Sequence, residues 1–112
     1  MRIAIKATNL DLTPAVKKYA EEKIGNLEKY LDNAIEAKVE LERDRKHNTG
    51  AVFRAEVMIV LHGKVLRAEE RSEDMYASID MIVPKLREQI SKLKDRKSTL
   101  IKRGARKAKG KF

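Results

Sequence analysis

The sequence contains no cysteine, so neither a disulfide framework nor a cysteine-ligated metal is possible. That is compatible with a reducing cytosol. Its five glycines are scattered, and none belongs to a clustered loop of the kind that cradles phosphates. The longest apolar run, Val57 to Leu61, falls far short of the roughly 20 residues needed to cross a bilayer. The opening MRIAIKATNL has no long apolar core, so no secretory signal is expected. A soluble cytoplasmic protein without a membrane partner follows as the expectation. Histidine is sparser still, with two residues. His47 and His62 lie in predicted loops far apart, with no third ligand nearby, and read as turn residues. No serine sits in a nucleophile motif, and Glu69-Glu70 reads as solvated surface. No enzyme, no cofactor, no metal and no small-molecule substrate are expected.

Positive charge is what the chain has in excess. The net charge is +9 over 112 residues, and from Lys94 to Phe112 nine Lys/Arg stand against one acid, a net of +8. Residues 1–93 carry 17 basic and 16 acidic groups, a net of +1. A nearly neutral body with a basic tail points to a polyanion, most often nucleic acid. The alternative is a solvated tail that aids solubility. The length suits one domain, since single cores span about 100–200 residues. The expected division is a body over 1–97 and a basic flexible tail, or the start of a linker, over 98–112.

Alternation of apolar and polar residues predicts four strands. The first covers Arg2 to Ala7; the second carries Ile35, Ala37, Val39 and Leu41 on one face; the third carries Phe53, Ala55, Val57, Ile59 and Leu61; the fourth spans Lys64 to Arg71. RDRKHNTG (43–50) reads as a loop, and His62-Gly63 as a tight turn. Thr13-Pro14 supplies a cap and a first-turn proline. Val16, Ala20, Ile24, Leu27 and Leu31 follow at helical spacing, predicting a helix over 14–31 with Gly25 on its outer side. The second helix is capped by Ser72 or Asp74. The order β-α-β-β-β-α defines an α+β fold. A right-handed crossover makes the first two strands parallel, the others form an antiparallel meander, and both helices lie on one face of the four-stranded sheet.

At 100° per residue, Met75, Ile79, Ile82, Val83, Leu86, Ile90 and Leu93 share one stripe of the second helix. Pro84 falls almost opposite, on the solvent side, where its missing N–H bends rather than breaks the helix. Gly104 and Gly110 are expected to interrupt helix in the tail. Lys85, Lys92 and Arg96 flank one edge of the stripe, and Arg87 and Lys94 the other. On the first helix Lys23 lies beside the stripe, flanked by Tyr19 and Tyr30, and Lys29 points further outward. Each lysine taken singly reads as solvated, with local acids such as Glu22 and Glu88. As a group rising into a basic tail, they are candidates for phosphate binding along a groove between the helices. Phe53 is the only strand aromatic and faces the core, so base stacking on the sheet, as in an RNA recognition motif, is not expected. Phosphate contacts recognise shape more than sequence.

These residues resemble a known family, the ribosome hibernation promoting factors, also called ribosome-associated inhibitors or protein Y. The likeness covers residues 1–97 and rests on RIAIKATNLDLTPAVKKYAEEKIGNLEKYL, HGKVLRAEE and above all SEDMYASIDMIVPKLREQISKLK. It implies a fold similar to a double-stranded-RNA-binding domain with an added first strand. It implies binding to the small ribosomal subunit in its decoding region, on rRNA, so that translation is blocked by occupancy without catalysis. Carried over by position, Lys23, Lys29, Lys85, Arg87 and Lys92 would contact rRNA, and Asp74, Tyr76 and Asp80 would position the second helix. Pro84 departs from the family, which more often has an acidic or other helix-compatible residue there. Long members carry a dimerising domain after a basic linker, and STLIKRGARKAKG resembles the start of one. The chain is then a short form or the N-terminal piece of a long one, with dimerisation possible only if such a domain follows. A general double-stranded-RNA-binding module and a protein-interaction domain with a solubilising tail are the alternatives.

Overall fold

The computed structural model describes residues 1–46 and 50–110, with side chains as far as Lys94. Strand β1 spans Arg2–Thr8, helix α1 Pro14–Gly25, a 3₁₀ turn Asn26–Tyr30, β2 Ala34–Arg43, β3 Phe53–Leu61, β4 Lys64–Ser72 and helix α2 Met75–Gly110. The strands lie in the order β1-β2-β3-β4. β1 and β2 are parallel, with Ile5 opposite Val39, whereas β3 is antiparallel to both β2 and β4. The fold is α+β with the order β-α-β-β-β-α, as the alternation predicts. Both helices pack on one face of the sheet. Val39, Leu41, Val57, Ile59 and Leu66 share a single buried cluster with Ile24, Leu27, Ile79, Ile82 and Leu86.

The helix caps follow from the sequence. Thr13 Oγ1 accepts from the Val16 amide at 3.2 Å, with Pro14 opening α1. Asp74 Oδ2 accepts from the Ala77 amide at 3.3 Å at the start of α2, which satisfies one of the amides that a helix start leaves open. Gly63 takes φ +73° in the two-residue β3–β4 turn, where Leu61 pairs Lys64; glycine reaches that region without a Cβ clash. Helix α2 runs unbroken through Pro84, which is exposed. The ring sits where losing one amide leaves a carbonyl facing water.

Four expectations are corrected. The first helix leaves the α form after Gly25, because Ile24 and Leu27 are buried and Tyr30 is half-buried. That three-residue spacing fits a 3₁₀ turn better than an α-helical one. Leu31 is already extended, at φ −118°. Gly25 faces inward rather than outward, since a Cβ there would lie 3.6 Å from Ile3 Cδ1. Ile35 is 48% exposed at a register shift between Ala34 and Glu36, because a bulge takes one residue out of the alternation. The backbone of α2 continues past Gly104 to Gly110, since a single glycine weakens a helix by only about 1 kcal/mol. His47 and the side chains from Asp95 onward, Arg96 among them, lie outside the described residues.

Among the described residues Ser78 is the buried polar residue of the core. Its hydroxyl donates to the Phe53 carbonyl at 2.7 Å and lies 2.8 Å from Ser72 Oγ, tying α2 to β3 and to the end of β4. Edge strand β4 is closed by Gln89, whose Nε2 donates to the Arg67 carbonyl at 2.7 Å while its Oε1 accepts from the Arg67 amide at 3.3 Å. A side-chain amide thus takes the place of a fifth strand at that point. No helix among the described residues is long and apolar enough to cross a membrane.

Two stability changes follow. Ser78→Ala removes a buried donor and should cost about 1–3 kcal/mol in urea unfolding, and an unchanged midpoint would remove Ser78 from the α2–β3 junction. Gly25→Ala should raise stability by up to about 1 kcal/mol, because its φ of −60° suits any residue and the added methyl meets only ordinary contact. A loss of stability would show that Ile3 cannot accept it.

Candidate nucleic-acid interface

Helices α1 and α2 run side by side in the same direction, because Tyr19 meets Tyr76 and Asp80 while Tyr30, further along, meets Arg87. The β-α-β-β-β-α order requires this. Each helix follows a strand of one orientation, β1 or β4, and returns antiparallel to it. A groove therefore runs between them, bridged from edge to edge by aromatic contacts.

At its upper end the Tyr19 and Tyr76 rings meet edge to face, 4.9 Å apart and at 81°. The Tyr19 hydroxyl donates to Asp80 Oδ1. Lys23, one turn beyond Tyr19 on α1, holds its Nζ 5.4 Å from the Tyr19 ring centre. At the lower end the Tyr30 ring receives two cations, Lys29 Nζ at 5.2 Å and Arg87 Cζ at 5.0 Å. A cation over a ring face is held by the ring quadrupole, and a planar guanidinium also stacks. The 3₁₀ turn places Lys29 and Tyr30 at the α2 side, so the departure from the expected helix shapes the site.

Six of the seven basic residues singled out in the sequence have described side chains, Arg96 being the exception, and the six divide between the two edges of α2. Lys23, Lys29 and Arg87 come together along the groove. Lys94 lies further down the same edge, in a cleft with Tyr30. Lys85 and Lys92 lie on the opposite edge, toward β4. Lys85 pairs with Glu70, and Lys92 pairs with Glu88 at 3.1 Å, one turn away. The Lys92–Glu88 pair is exposed on both sides, and such a pair contributes little to stability and opens easily to a stronger anion; Glu70 is half-buried, so only the Lys85 end of its pair faces water. Asp74, Tyr76 and Asp80 make the capping and inter-helix contacts that hold α2 against α1. The paired role of Tyr19 and Tyr30 as supports was not drawn from the sequence, although their position beside Lys23 and Lys29 was the signal.

The far face of the sheet is organised differently. Arg54 Nε lies 2.7 Å from Glu69, its Nη2 2.9 Å from Glu56 and its Nη1 3.6 Å from Glu40. The hydrogen bond from Arg54 holds the Glu69 carboxyl below its usual range. One guanidinium thus spends its donors on three carboxylates, and charges of both signs interleave on that face. Among the described residues no group of three His, Asp or Glu side chains is placed to hold a metal.

The family model for Sigma 54 modulation protein / S30EA ribosomal protein matches residues 3–98. A ribosome hibernation promotion factor of Staphylococcus aureus (strain COL) is 41% identical over 96 residues, which is 86% of this chain and 50% of that protein. The chain thus spans about half the length of that relative. The N-terminal domain of Thermus thermophilus protein Y superposes with a TM-score of 0.70 at 35% identity, covering 83% of this chain and 99% of that one. A ribosomal subunit interface protein from Coxiella burnetii has the same fold, with a TM-score of 0.70 at 22% identity over 85% of this chain and 99% of that one.

The Tyr19–Asp80 bond can be read directly. The hydrogen bond to Asp80, then burial and the Asp80 charge, push the Tyr19 phenol up from 10.0 to about 12. The proton is held more tightly in the folded chain, so this contribution is present below pH 10 and is lost as pH rises through 12. In an ultraviolet titration one of the three tyrosines should ionise near 12, and Asp80→Ala should return it toward 10. Ionisation of Tyr19 near 10 in the folded protein would disprove the contact.

Proposed function

The chain belongs to the Sigma 54 modulation protein / S30EA ribosomal protein family, and from that membership we propose that it is a ribosome-binding hibernation factor. Its helix face occupies the decoding region of the small subunit and contacts rRNA phosphates, so translation is inhibited by occupancy. Nothing catalytic is asked of any residue, and the setting is the cytoplasm, where ribosomes work. The basic stretch 98–112 acts as a tail or the start of a linker that adds phosphate contacts.

One observation carries this reading beyond family likeness: the cations of the inter-helix groove, Lys23, Lys29 and Arg87, stand on tyrosine rings, and among the described residues none of them is paired with a carboxylate. On the far face the reverse holds, since Arg54 is fully engaged. A surface built to meet phosphate needs positive groups that are positioned and still unspent. Lys85 and Lys92, across α2, can widen the footprint after giving up their carboxylate partners. Because such contacts recognise backbone and shape, a bare RNA duplex is the competitor to test against.

Charge reversals separate the edges. Lys23→Glu with Arg87→Glu should abolish most cosedimentation with small subunits, and Lys85→Glu with Lys92→Glu should weaken it. Lys6→Glu with Lys38→Glu, on the far face, should matter far less; Arg54 is unsuitable there because reversing it would place a fourth carboxylate among three. In the unmodified protein log affinity should fall linearly with log salt, by roughly 0.7–0.9 per phosphate contact, and removal of 98–112 should flatten the slope. Equal losses from all three pairs would mean diffuse attraction and no groove site. Binding to bare duplex RNA as tight as to ribosomes would favour a general double-stranded-RNA-binding module.

A further inference from the structure

Below the groove, where α2 passes the β3–β4 turn and the connection from the 3₁₀ turn to β2, lies a cleft of about 280 Å³. Its floor is apolar: Ile90 is buried, and Leu61 and Leu93 are half-buried. Lys64, from the first position of β4, and Lys94, from α2, stand at its rim with exposed His62 beside them. Asp32 and Asn33 add polar groups to the lining. Tyr30, fixed by Lys29 and Arg87, walls it off from the groove.

Among the described residues neither Lys64 nor Lys94 enters an ion pair, although Lys85 and Lys92 of the same helix do. Two ammonium groups brought to one concavity from separate elements repel each other, and an anion seated between them relieves that repulsion. Inorganic phosphate alone would leave the apolar floor wet. A flat body over Leu61, Ile90 and Leu93, with hydrogen-bonding edges for Asp32 and Asn33, makes use of the remainder. The volume lies just below the usual range of ligand clefts, about 300–1,000 Å³, which leaves room for one nucleoside and not for an oligonucleotide.

We propose that this cleft binds a single phosphorylated nucleoside, its base over the Leu61–Leu93 floor and its phosphate between Lys64 and Lys94. The nucleoside comes either as a free nucleotide or as one unstacked residue of an RNA strand. Only the second case rests on the ribosome reading above, with the cleft taking a splayed rRNA nucleotide at the end of the phosphate track. In neither case is the nucleotide transformed.

The test is an amide chemical-shift titration of the full chain with three probes: GMP, inorganic phosphate and a single-stranded RNA hexamer. GMP should give saturable shifts at Asn33, His62, Gly63, Lys64 and Leu93, with phosphate at equal concentration much weaker. Lys64→Gln with Lys94→Gln should weaken GMP about tenfold or more, through loss of two charge-assisted contacts, with amides outside the cleft unmoved. Shifts at the cleft from the hexamer but not from GMP would assign the ligand to RNA strands and support the proposal in that form. Equal effects of phosphate and GMP, no saturable shift from either GMP or the hexamer, or unchanged binding by the double variant would each overturn it. The titration contains no ribosome, so the cleft can fail while the unmodified chain still cosediments with small subunits. Equally, the ribosome reading can fail while GMP binds.

Discussion

The four strands offer only one continuous apolar face, and the architecture follows from covering it. Val39, Leu41, Val57, Ile59, Leu66 and Ala68 point to one side of the sheet, where water must be excluded over an area that one helix cannot cover. Two helices are needed, and the chain supplies one after β1 and one after β4. Because these strands share an orientation, the returning helices are parallel neighbours, and their facing edges cannot avoid forming a groove. The opposite face stays wet, so its Arg54, Glu40, Glu56 and Glu69 are free to neutralise one another. Arg54 is thereby spent in local pairs on the wet face, while Lys23, Lys29 and Arg87 are displayed on the helix side.

Much of this was legible in the chain. Alternation marked the inward residues of the strands apart from Ile35, Thr13-Pro14 marked the first helix start and Ser72 or Asp74 the second, and the 3.6-residue stripe of α2 put Lys85 and Lys92 on a different edge from Arg87 and Lys94. What stayed hidden depended on contacts between elements. Nothing local says that Ile35 will be shed by a bulge, that Gln89 will close the β4 edge, or that α1 will lie on the Arg87 side of α2. The 3₁₀ turn is an intermediate case. The Ile24–Leu27–Tyr30 spacing that favours the 3₁₀ turn was visible, but residues three apart also occur on one face of an α-helix, and the extended backbone of Leu31 on the way to β2 adds the constraint that the local pattern lacks.

The tyrosines show how a surface site borrows its rigidity from the core. Tyr76 belongs to the outer edge of α2 and is 37% exposed, yet its ring abuts Tyr19, and Tyr19 is held in turn by Asp80. Ser78, between Tyr76 and Asp80 in sequence, is buried and bonded to β3. The helix turn that presents Tyr76 and Asp80 is therefore anchored from beneath, and the groove keeps its width.

Anchoring matters because a long basic side chain loses rotamer freedom when it grips a phosphate, about 0.5–1.5 kcal/mol for each one immobilised. Lys23, Lys29 and Arg87 have already given up part of that freedom to the rings beneath them. The ring holds a cation without neutralising it, which a carboxylate partner would do. A carboxylate must be displaced before a phosphate can bind, as Glu70 must be at Lys85. A ring need not move at all. The two edges of α2 thus differ less in how much charge they carry than in what has to be undone before that charge is used, and the groove edge is the one where an incoming phosphate meets least resistance.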